Sequence, residues 1–118
     1  MTKLIELEGR FLTYHKADNG QVSHRTVHTI EEAQGVMFLC PLCWRNNNGP
    51  RGTHSVICWD STRGVPEDAF PAPGRWKLVG TSIDDLTLNE IPPKTRSVLL
   101  TAGCHWHGFV TDGDASIC

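Results

Sequence analysis

No run of the chain approaches the roughly 18 consecutive apolar residues of a membrane-spanning helix. The opening stretch, MTKLIELEGRFL, sets Glu6 and Glu8 inside what would be the apolar part of a secretion leader. No membrane partner is expected. Positive charge is not in excess either: 11 Lys and Arg face 13 Asp and Glu, for a formal charge of −2. With a pI near 6.3, the basic stripe that draws a protein to nucleic acid is missing as a global feature. The glycine-rich phosphate loop, the Gly-x-Ser-x-Gly nucleophile turn and the HExxH zinc helix are missing too. So is the zinc deaminase pattern, which needs His-x-Glu and a proline directly before Cys-x-x-Cys; here Leu39 precedes Cys40. No internal repeat or low-complexity segment is evident.

At 118 residues the chain has the size of one domain and is too short for two independent cores. Its 11 glycines and 7 prolines demand many turns, so such a chain gains from a cross-link. Strand formers fill KLIELEGRFLTYH (3–15), with Gly9 as a bend, and Asn19-Gly20 marks a hairpin turn into a second strand over 21–30. TIEEAQG has the capping-box spacing Thr29 to Glu32 and suits one helical turn. VMFLC (36–40) and THSVICW (53–59) read as strands separated by a polar loop, WRNNNGPRGT. The proline-rich STRGVPEDAFPAPGRW reads as a structured loop, GRWKLVG and DDLTLNEI as short strands around a turn, and TRSVLLTA as a strand. HGFVTDGDASIC reads as a final hairpin turning at Asp112-Gly113. The expected fold class is mainly β: a single small domain of short antiparallel strands and long loops around a zinc-ribbon-like site, with little helix. Residues 1–35 form an amino-terminal β-hairpin extension in this reading, and 36–118 the zinc-binding core.

The odd count of 5 cysteines argues against a disulfide framework and for metal ligands or buried thiols. Cys40-Pro-Leu-Cys43 has the gap that lets two thiolates approach one tetrahedral ion, and Cys104-His105-Trp106-His107 repeats it with an imidazole as second donor. The expected metal set is therefore Cys40, Cys43, Cys104 and His107, with Zn2+ as cofactor. A redox pair is disfavoured because the residues after CPLC read as loop, whereas thioredoxin-type pairs open a helix. Inert buried thiols are the bland alternative. His105 is a second candidate imidazole, and His54 and Cys58, on one face of their strand, are reserve ligands. Cys118 reads as a free terminal thiol, and His15, His24 and His28 as solvated hairpin residues.

Four protein ligands with three thiolates would close the open position that a catalytic zinc keeps, so no catalytic residue is assigned. An open-site zinc hydrolase served by Asp84 or Asp85 is the alternative. Arg45, Arg51, Arg63, Arg75, Lys77, Lys94 and Arg96, interleaved with Trp44, Trp59 and Trp76, would suit single-strand stacking. Protein binding by the same loops is favoured over nucleic acid, because loops carrying Trp and Arg have the composition of interface anchors.

The order FLCPLCWRNNNGPRGTHSVICW, PGRWKLVGTSIDDLTL, SVLLTAGCHWHGFVTDG resembles a family of small, uncharacterised zinc-binding β proteins of tailed phages and prophages, over residues 36 to 114. The resemblance implies a phage origin and a metal site at Cys40, Cys43, Cys104 and His107, and it brings no activity. It suggests an accessory protein of the host cytoplasm that binds a host or phage protein.

Overall fold

The computed structural model describes residues 1–71 and 74–118. The stretch expected as one strand over 3–15 is divided. Thr2–Lys3 form β1, and the chain then turns through residues 4–8, burying Leu4 and Leu7 completely, before Arg10–Lys16 form β2. The turn requires glycine at its end: a Cβ on Gly9 would stand 2.9 Å from the Leu4 carbonyl oxygen, which the Gly9 N–H itself meets at 2.8 Å. β3 (Val22–Val27) returns antiparallel after the Asn19-Gly20 turn, with Gly20 at φ 84°. Arg10 to Leu12 of β2 also pair with the next strand, and Leu4, Leu7, Phe11, Ile30 and Ala33 enter the same buried cluster as the later strands. The first 35 residues thus share the main core.

β4 (Gly35–Leu39) delivers Cys40, and β5 (Ser55–Trp59) runs back beside it, giving an antiparallel sheet of order β3-β2-β4-β5. Between them the expected polar loop is partly a helix, α1 (Pro41–Asn47). Proline at the first helical position needs no N–H donor and has the right φ. Leu42 and Trp44 pack on the core, and Asn48, left-handed at φ 54°, closes the far end by donating to the carbonyls of Arg45 and Trp44. These are ordinary start and stop signals in a run rich in asparagine and glycine. The TIEEAQG segment, by contrast, stays a turn, although Thr29 and Glu32 do bond, side chain to side chain at 2.9 Å.

β6 (Lys77–Val79) and β7 (Thr87–Asn89) pair antiparallel around a 3₁₀ turn at Ile83–Asp85. The expected strand TRSVLLTA contracts to β8 (Val98–Leu99), which pairs with β9 (His107–Gly108). β10 (Val110–Thr111) and β11 (Asp114–Ala115) form the last hairpin, turning at Asp112 and Gly113 with φ of 49° and 80°, and β1 adds to its edge. Of the proline-rich segment 61–76, residues 72–73 lie outside the described residues. The chain is mainly β, built of short antiparallel strands in one small domain, with little helix.

Two apolar clusters flank the main sheet: a large one that includes Val36, Phe38, Val56, Cys58, Trp76 and Trp106, and a smaller one of Leu12, Trp59, Val65 and Ala69. The alternation in SVICW sends Val56 and Cys58 to the first, and Ile57 and Trp59 to the second. Where β5 ends, fully buried Asp60 ties three segments together. It accepts from Thr62 N–H at 2.8 Å and Leu78 N–H at 2.9 Å, and its carboxylate lies 3.3 Å from Arg63 Nε. Removing it strands a buried amide and an arginine. Asp60→Ala is therefore expected to lower unfolding free energy by about 3 kcal/mol in urea titration, and Asp60→Asn, which keeps one acceptor, by less; a change within about 0.5 kcal/mol for Asp60→Ala would contradict this role.

Candidate metal centre

Three separate segments converge beyond the ends of β4 and β5. The register Leu39↔Ser55 extends one step further, where the Cys40 N–H donates to the His54 carbonyl at 2.9 Å. Directly opposed residues of an antiparallel pair put their side chains on the same face, so Cys40 and His54 are neighbours across the sheet. Cys43 follows by helical spacing: residues three apart meet on one face, and the first turn of α1 is closed by Trp44 N–H on the Cys40 carbonyl at 2.9 Å. Cys104 arrives from the loop between β8 and β9. That loop is shaped by left-handed Gly103 (φ 70°) and His105 (φ 56°) and tied by Leu100 N–H to the Trp106 carbonyl at 2.9 Å.

Cys40, Cys43, His54 and Cys104 present ligand atoms that all lie within 4.8 Å of one another. Cys104 Sγ is 3.5 Å from Cys40 Sγ and 3.3 Å from His54 Nε2. Four donors at tetrahedral zinc distances would stand about 3.5 to 4 Å apart, so the group is close to the spacing a single ion requires. Burial is graded: Cys40 is buried, Cys43 and Cys104 are half-buried and His54 is exposed.

The thiols differ electrostatically. Burial pushes Cys40 up to about 12, with the hydrogen bond to Cys104 adding to it; Cys43 is also raised, mainly by burial. For Cys104 burial acts the same way, but hydrogen bonds from His54, the Trp106 backbone and the other two thiols outweigh it and bring the group down to about 7. Of these three, Cys104 is therefore the thiol most ready to ionise. Although CPLC does open a helix, contrary to the loop expected there, it does so between antiparallel strands rather than in a βαβ unit. Its buried first thiol is the opposite of the low-pKa nucleophile that a redox pair needs.

His107, the imidazole expected from spacing, lies outside this group. It sits in β9 opposite Leu99, exposed, with its ring 6.4 Å from that of Phe109. The cause is Trp106: its fully buried ring packs edge-on against Phe38 at 5.8 Å, and its Nε1 donates to the Ser116 carbonyl at 3.0 Å. That anchor starts the β9 strand and carries the next side chain away from Cys104. His105 is exposed at its left-handed turn. Cys58 is fully buried, which raises its thiol, and Cys118 is exposed. The place of His54, expected only as a reserve ligand, was legible as that of a cross-strand partner, since pairing FLC with HSV sets Cys40 against His54.

The other candidates serve the fold. Asp85 accepts from the Thr81 and Ser82 N–H groups, both at 2.8 Å, and from the Thr81 hydroxyl. Led by that hydroxyl, these bonds hold its carboxyl down at about 2. Trp59 and Trp76 are buried, with their indole N–H groups on the Phe70 and Arg96 carbonyls. Arg63 donates to the Ile30 and Ala33 carbonyls, and Arg96 to the Val110 carbonyl. These four members of the stacking set expected for nucleic acid are thus engaged in internal contacts.

Fold and cluster together define a small antiparallel β domain with a Cys₃His group that can hold a metal ion. No family model, curated protein or solved structure matches the chain. Among the described residues, no helix is long and apolar enough to cross a membrane. If His54 is the fourth ligand, His54→Ala should weaken metal affinity by about tenfold or more while His107→Ala leaves it unchanged, as read by cobalt(II) titration of the thiolate absorption band. The reverse pattern would return the site to His107.

Proposed function

We propose that the chain is a non-catalytic binding module whose fold is fastened by one zinc ion on Cys40, Cys43, His54 and Cys104. The observation that carries this reading is the convergence of four donor atoms within 4.8 Å from three segments distant in sequence. Three thiolates and one imidazole in a tetrahedral arrangement suit zinc among the common divalent ions, since calcium and magnesium take oxygen ligands. Bound there, the ion supplies a cross-link. With four protein donors it has no open position for water, and three anionic sulfurs weaken it as a Lewis acid, so hydrolysis has neither the metal site nor, with Asp85 capping a turn, the base it would use.

The setting we assign is that of a phage-encoded accessory protein acting on a host protein in the host cytoplasm. Its support is the residue pattern that resembles the phage family, together with a net charge of −2 that favours protein over nucleic acid as partner.

Stripping the metal tests the structural role. A chelator that removes zinc should lower the thermal midpoint by about 10 °C or more, and added zinc should restore it. An unchanged midpoint with zinc demonstrably removed would contradict the fastening role.

A further inference from the structure

The main sheet ends on β5, and two hydrogen bonds fix which of its backbone groups face outward. Cys40 N–H donates to the His54 carbonyl at 2.9 Å, and Asp60 N–H donates to the Gln34 carbonyl at 2.8 Å. Alternate residues of an antiparallel strand bond to the same neighbour, so Val56 and Cys58 turn their amides to β4, while Ser55, Ile57 and Trp59 turn theirs away. The Trp59 carbonyl obeys this by accepting from Trp76 N–H at 3.1 Å. Among the described residues, neither the N–H nor the carbonyl of Ile57 has a partner.

Along this edge runs a cleft of about 510 Å³ whose walls include Val56, Ile57, Trp76 and Leu99, with Arg75 and Lys94 as its charged residues and no acid among the described lining residues. Leu99 stands 57% exposed on its lip. Arg75 is only 6% exposed, and its guanidinium donates to the carbonyls of Glu67, Ala69, Pro71 and Gly74. No carboxylate pairs with it among the described residues, and its buried Nε has no acceptor. A cation solvated by carbonyls alone leaves a positive field in its surroundings. The cleft thus joins a strand edge open at Ile57, apolar walls and the positive field of Arg75.

We propose that this cleft is a docking groove for an extended, acidic and apolar segment of a partner protein, which adds to β5 as a further strand. Its backbone pairs with Ile57, its apolar side chains pack on Trp76 and Leu99, and its carboxylates face the Arg75 side of the cleft. Strand addition draws affinity from main-chain bonds and selectivity from the flanking pockets. The inference rests on the binding-module reading and names the partner class for it.

The test uses the full chain with zinc added and an amidated octapeptide of alternating valine and glutamate, carrying fluorescein at its amino end. Saturable anisotropy is expected. Affinity should drop by about tenfold or more for the valine–lysine counterpart and for the same peptide with methylated backbone amides, and by about fivefold for Leu99→Ser, at an exposed position. Exchange of the Ile57 amide should slow by about tenfold or more in the complex. Absence of saturable binding, equal binding of the lysine or methylated peptide, or an Ile57 amide already protected in a dimer of the chain would overturn the proposal. Zinc stoichiometry on the same sample separates the two readings: zinc held without peptide binding removes the groove alone, and peptide bound by a chain that holds no zinc removes the metal reading alone.

Discussion

Everything else in the molecule hangs on the meeting of three segments at the ends of β4 and β5. Cys40 and Cys104 are 64 residues apart in sequence and 3.5 Å apart at their sulfurs. The strands around Cys104 are short. β8, β9, β10 and β11 are two residues each, and hairpins that short are not stable by themselves. Closing a loop of this length by a cross-link removes chain entropy worth on the order of 4 kcal/mol by the measure used for disulfides. That is comparable with the whole stability of a small domain. A metal at the four donors would therefore account for how a chain with so much loop keeps one arrangement.

β5 links this staple to the groove. His54 immediately precedes it, and Ile57 presents the free edge. Its two faces are also different: Val56 and Cys58 feed the large core, and Ile57 and Trp59 the small one. Asp60 then fastens the strand's other end to β6 through Leu78. A strand held at both ends, with one edge paired and the other open at Ile57, is a rigid template for an incoming segment. Preorganisation of that kind lowers the entropic cost of association.

Much of this was legible in the residues. Asn19-Gly20 and Asp112-Gly113 marked hairpins because only a few residue types accept positive φ, and the alternation in SVICW assigned both faces of β5 correctly. Cys40, Cys43 and Cys104 stood out by spacing. What failed was whatever depended on contacts distant in sequence. The expected ligand His107 came from a local repeat of the two-residue gap, whereas the actual neighbour of Cys40 is set by strand register. Helix α1 was hidden by an asparagine-rich composition, although Pro41 and Asn48 are adequate end signals. The arginines and tryptophans looked free because sequence does not reveal that Trp59 and Trp76 close the cores or that Arg63 and Arg75 serve buried carbonyls.

The most direct test of whether the Cys₃His group holds a closed zinc is X-ray absorption at the zinc edge on the purified chain. A first shell of three sulfurs at about 2.3 Å and one nitrogen at about 2.0 Å, with no further light atom, is expected. A shell in which a water oxygen replaces one of these donors would mean an open ion capable of chemistry, and would contradict a closed structural site.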